Sequence, residues 1–170
     1  DGQPGSGKSL IAWILSAMER IELLNYCSVV EDVCALKYLN KITNDAAVTM
    51  ISKYVDLLLY WQMMSRGTNF RPSDTSSVFK SIKWLKYVKR LFQKGDELIP
   101  GIIKKEKPIL NFTTHNTISF SLPIFKSLNS KVILIEVVRH PLYMLIQQTL
   151  NHERHNEHVG YGRMFHHLIK

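Results

Sequence analysis

Residues 2–9 read Gly-Gln-Pro-Gly-Ser-Gly-Lys-Ser, which fits G-x-x-x-x-G-K-[ST] at every fixed position. Glycines let consecutive backbone N–H groups turn inward around a phosphate-type anion. A helix beginning directly after them adds its unpaired N-terminal donors and its dipole. Lys8 brings a mobile charge to a transferable group, and Ser9 can hold a metal or a phosphate oxygen. Leu10, Ile11, Ile14, Leu15 and Met18 follow at helical spacing, so a helix is expected from Lys8 to about Leu24. Such a loop needs a strand before it, and that strand would lie upstream of Asp1. The chain therefore reads as a piece of a longer protein that also lacks some C-terminal part.

The loop has to sit in a chain of 170 residues, which is room for one domain. Apolar residues at 45% and charged residues at 21% describe an ordinary globular chain and set disorder aside. The net charge of +8 favours anionic ligands or partners. No apolar run approaches the roughly 18 residues of a membrane span. The longest, Leu57–Trp61 and Val132–Ile135, are cut by Gln62 and Glu136. Two cysteines, Cys27 and Cys34, form neither a disulfide framework nor a zinc site and lean toward a reducing, cytoplasmic location. No signal peptide is visible, and a targeting or anchor segment upstream of Asp1 stays open.

Residues 31–93 carry helical periodicity, with helices expected at 31–41, 44–65 and 75–93. Asp74 or Thr75 would cap the last of these and Gly95 would end it. Residues 108–113 resemble a short buried strand, and 119–128 a short helix. Lys131–Val138 is β-branched and apolar on both sides, as in the middle of a parallel sheet. Pro141 opens a helix to about Glu153, since proline suits a first helical turn. The expected fold is α/β: a three-layer domain with a mainly parallel sheet and a helical insertion at 31–95.

Two further positions draw attention. Arg139 ends the second strand, where open α/β sheets bind ligands, and its guanidinium can grip a phosphate with two parallel hydrogen bonds. His115 follows the first strand toward the same edge, and an imidazole serves as a general base at neutral pH.

The phosphate loop, then Thr114-His115, then Leu122-Pro123, then Lys131 leading through an apolar strand to Arg139-His140-Pro141, resembles the P-loop sulfotransferases that use 3′-phosphoadenosine 5′-phosphosulfate. The resemblance covers residues 2–10 and about 110–147. It implies that the backbone of Gly5, Ser6, Gly7, Lys8 and Ser9 holds the 5′-phosphosulfate. It further implies that Lys8 neutralises the bridging oxygen, that Arg139 holds the 3′-phosphate and that His115 takes the acceptor's proton. A hydroxyl or amine would accept the sulfuryl group. In the loop, lysine stands at the position that nucleotide kinases use, so the alternative is an ATP-dependent phosphotransferase with magnesium near Glu136. A third reading is a nucleotide-binding domain without catalysis.

Lys80, Lys83, Lys86, Lys89, Arg90 and Lys94 fall within 78–94 with no acid from residue 75 to residue 95. This basic segment is either a solvated face or a contact with a polyanionic substrate or a membrane surface. No nucleic-acid-binding module is recognisable. His152, His155, His158, His166 and His167 crowd the C-terminal end without a metal-ligand spacing, so no metal site is expected there.

Overall fold

The computed structural model describes residues 1–74 and 76–157, the last seven in backbone only. Thr75, His158, His166 and His167 lie outside the described residues, as do the side chains of His152 and His155.

The glycine-rich loop runs straight into helix α1, Lys8–Ala17. The helix does not continue to Leu24. Met18 turns extended and Arg20 adopts a left-handed conformation at φ 66°. Strand β1, Ile21–Tyr26, follows. Arg20 secures the turn by donating from Nε and Nη2 to the Lys107 carbonyl at 2.9 and 2.8 Å. Leucine-rich Ile-Glu-Leu-Leu suits a helix locally, but pairing with a neighbouring strand overrides that preference.

Helices α2, Ser28–Tyr38, and α3, Asn44–Met63, come next, close to expectation. Thr43 caps α3 by accepting from the Ala46 N–H at 3.2 Å. The expected helix at 75–93 is instead a 3₁₀ turn, Val78–Lys80, and a short helix α4, Trp84–Leu91. Ser77 and Ser81 explain the break. Each hydroxyl accepts a hydrogen bond from the backbone N–H two residues on, which competes with a continuous helix. Gly95 accepts from the Leu98 N–H in the turn that precedes α5, Ile99–Glu106. Strand β2, Ile109–Thr113, then pairs in parallel with β1, from Ile21 opposite Ile109 to Tyr26 opposite Thr113. The helical insertion between the strands is thus α2–α5. After β2 come a 3₁₀ turn at Ile118–Phe120, helix α6, Leu122–Leu128, a second such turn at Asn129–Lys131 and helix α7, Pro141–Glu157.

The described residues form a mixed α/β chain with a two-stranded parallel sheet. Lys131–Val138 is not a buried central strand. It makes one parallel bridge, Gly2 to Val137, flanked by hydrogen bonds between Asp1 and the main chain at Ile135 and Val137. Ile133 and Val138 are 85% and 82% exposed. Among the described residues only Asp1 and Gly2 pair with this segment, so the ladder is short; Val132 packs against the main core, while Ile133, Leu134, Ile135 and Val138 stay exposed.

The main core joins α2, α3 and α6: Cys27, Val30, Val33, Cys34, Ala47, Ile51, Leu58 and Ile124. Both cysteines are free, and burial pushes their thiols up, Cys27 to about 12 and Cys34 to about 11. They behave as small apolar side chains. Asn111 ties β2 to α1 by donating to the Ala12 carbonyl at 3.2 Å and to Ser16 Oγ at 3.0 Å.

A second, polar centre fastens α4 to the sheet. Glu22, fully buried on β1, accepts from Arg90 at 2.6 and 2.9 Å and from the Tyr87 hydroxyl at 2.6 Å. Burial alone would raise the Glu22 carboxyl, but the bonds and charge of Arg90, with Tyr87 and Lys86, outweigh it and hold it below its ordinary value. A group held this way stabilises the fold above its unfolded-state pKa and loses that contribution as pH falls through the lower, folded value. Stability measured by denaturant unfolding is therefore expected to drop in that acidic window. Glu22→Gln should flatten the drop and lower stability at neutral pH, toward the lower end of the roughly 3–5 kcal/mol range for a broken buried pair, because buried Arg90 keeps only the half-exposed Glu106 at 3.8 Å. An unchanged stability at neutral pH would contradict this role.

Candidate functional site

The loop closes as its composition requires. Ser6 N–H donates to the Gln3 carbonyl at 3.1 Å, and Gly7, at φ 105°, is the left-handed N-cap of α1. No side chain caps α1 and no acid occupies its first turn, so its N-terminal donors have no side-chain competitor for an anion. Gly2 has no alternative: a Cβ there would lie 2.6 Å from the Val137 carbonyl oxygen. That contact presses the start of the loop against the segment leading to Arg139.

Lys8 is buried and folds back over the loop. Its ammonium donates to the carbonyls of Gly2 and, at 2.9 Å, Gln3. Burial lowers its pKa, while the charges of Glu136 and Glu31 oppose that effect. Ser9 is exposed at the mouth of the helix. Ser6 is buried, and its hydroxyl is among the few buried side-chain polar atoms that find no partner. An unmade buried hydrogen bond is costly, and this hydroxyl has the capacity for one more partner.

Arg139 reaches this loop. Its Nη1 donates to the Gly5 carbonyl at 3.3 Å, and its guanidinium sits 5.8 Å from the Tyr143 ring centroid. It is otherwise exposed and carries its charge to the rim of the loop.

His115 lies just beyond β2, on the end of the sheet where β1 ends at Tyr26 and α2 begins. It is engaged there by residues that the sequence reading did not single out. Glu31, in the first turn of α2, accepts from the His115 backbone N–H at 2.5 Å and contacts its Nδ1 at 3.1 Å. The other Glu31 oxygen accepts from the Tyr26 hydroxyl at 3.0 Å. Burial, then the bond and charge of Glu31, push the Tyr26 phenol up to about 12, so it stays a donor. The Tyr26 ring also meets the imidazole edge-on at 5.0 Å. A carboxylate can only accept, so Nδ1 facing Glu31 carries the proton and a neutral His115 has its lone pair on Nε2.

Asp1 joins the two halves. Its carboxylate accepts from Thr114 Oγ1 at 3.1 Å, from the Thr117 N–H at 2.9 Å and from the Ile118 N–H at 2.8 Å. The residue preceding the loop thereby grips both flanks of His115. Lys8, Arg139 and His115 are thus gathered around one edge of the sheet, with Glu31 and Glu136 close enough to Lys8 to act on its charge. Among the described residues no group of three or more acidic, histidine or cysteine side chains could hold a metal ion.

An acid one turn into a helix that directly follows a strand end was the available signal for Glu31. It was hidden because β1 itself read as helix. Comparison with protein-family models, curated proteins and solved structures gives no match.

Proposed function

We propose that the chain is a sulfotransferase-like enzyme of the three-layer P-loop type, which moves a sulfuryl group from 3′-phosphoadenosine 5′-phosphosulfate to a hydroxyl or amine. The observation that carries this reading is Arg139 on the Gly5 carbonyl together with His115 oriented by Glu31, whose charge also acts on Lys8. The unpaired Ser6 hydroxyl and the uncapped start of α1 support an anion in the loop.

The donor supplies an activated sulfuryl group and a bisphosphorylated nucleotide as leaving group. The backbone donors of Gly5–Ser9 bind the 5′ end. Lys8 exchanges its loop carbonyls for the developing negative charge on the departing oxygen, a fixed-charge effect like that in phosphoryl transfer. Arg139 grips the 3′-phosphate in a fork of parallel hydrogen bonds. His115 Nε2 takes the acceptor's proton as the new bond to sulfur forms and the bond from sulfur to the bridging oxygen breaks, its electron pair leaving with the phosphate. Glu31 positions the ring and stabilises the imidazolium.

Arg139→Ala should weaken 3′-phosphoadenosine 5′-phosphate by about 1.5–3 kcal/mol, the range for a charge-assisted hydrogen bond, and barely affect adenosine 5′-phosphate. Calorimetry with both ligands checks this, and equal losses would remove Arg139 from the 3′-phosphate site.

His115→Ala should slow transfer roughly 10²–10⁴-fold, the usual share of general-base catalysis, with donor affinity retained. Glu31→Gln should slow it by a smaller factor, also without loss of donor affinity. Steady-state rates beside donor titrations test the pair, and near-normal turnover in His115→Ala would make the histidine structural.

Glu136 beside Lys8 favours a second reading, ATP-dependent phosphotransfer with magnesium. Lys8→Ala should abolish turnover in both, because each puts this charge at the transferred group. A chelator separates them. Turnover should survive it, and turnover that vanishes and returns with magnesium would establish the phosphotransferase.

A further inference from the structure

Helix α4 packs with its polar side inward. Tyr87 and Arg90 are buried on Glu22, and Lys86 bonds the same carboxylate at 3.1 Å. Lys83 donates to the carbonyls of Met18 and, at 3.1 Å, Ile21. With this side consumed by the sheet, the apolar residues are left outward. Ile82 is 82% exposed, Leu85 53% and Phe92 84%. Leu85, exposed Lys89 and the C-cap residue Phe92 fall at helical spacing along one side of α4, with Ile82 in the turn before the helix and exposed Lys80 and Lys94 beyond its two ends. On α5, Lys104 and Lys105 extend the positive field beside Glu106, which pairs with Lys86 at 3.5 Å.

We propose that this face docks on an anionic lipid surface. Large apolar side chains among lysines match a bilayer interface, where Ile82, Leu85 and Phe92 enter the acyl boundary and the lysines meet anionic headgroups. A soluble polyanion would pair with the lysines but leave the apolar row in water. A second copy of the chain would bring a like-charged face against it. The attachment is interfacial, for no helix among the described residues is long and apolar enough to cross a membrane. Glu22 and Met18 place α4 at the start of β1, whereas Arg139 and His115 gather at the other end of the strands. Docking is therefore independent of the nucleotide reading.

The test is co-sedimentation of the 170-residue chain with vesicles of phosphatidylcholine alone or mixed with phosphatidylserine. Binding is expected to the mixed vesicles, weakened by salt, and to be at least about tenfold weaker on the neutral ones. Ile82→Ser with Phe92→Ser should weaken it by roughly 10–100-fold. Lys80→Gln and Lys89→Gln should each cost about fivefold. Equal binding to both vesicles, heparin binding without vesicle binding, or serine variants that sediment like the parent would overturn the proposal. Circular dichroism checks the variants' fold; if the serine variant unfolds, the lipid-composition and salt arms on the parent still decide.

Discussion

The carboxylate of Asp1 is the point on which the candidate site depends. It takes three hydrogen bonds from the Thr114–Ile118 segment while its backbone pairs with the segment carrying Arg139. Two segments that each lie more than a hundred residues further along the chain meet at this one residue, which leads directly into the glycine loop. The contacts are charge-assisted and so stronger than neutral ones. Gly2 adds the steric half of the constraint, since any side chain there would collide with the Val137 carbonyl.

A second polar centre does comparable work at the other end of the sheet. Glu22 and Arg90 are worth little as a source of stability compared with an apolar pair of similar volume, because both must be stripped of water. Their effect is on arrangement. By drawing Tyr87, Arg90 and Lys86 inward, Glu22 turns α4 so that its apolar side faces outward. One buried acid thus accounts both for the attachment of the insertion and for the exposed row Ile82, Leu85 and Phe92.

The loop, α3, β2 and the start of α7 were legible because each carries a local signal: glycines before Lys-Ser, helical apolar spacing, a short apolar run, and a proline at a first helical turn. β1 was not, because leucine and glutamate favour a helix until parallel pairing with β2 overrides them. Lys131–Val138 misled in the opposite direction. Its apolar run suggested two-sided burial, but burial depends on what packs against a strand, and here little does. At the site, Lys8 was visible from the glycine-rich motif and Arg139 from its place at the end of an apolar run. Glu31 and Tyr26 were not, since their link to His115 exists only once β1, α2 and β2 are side by side.

Thermal unfolding with 3′-phosphoadenosine 5′-phosphate, set against ATP with magnesium, tests the central claim most directly. A ligand that binds only the folded chain raises its midpoint by mass action. The account expects the 3′-phosphorylated nucleotide to raise it without metal and ATP with magnesium to leave it unchanged. The reverse pattern would contradict it.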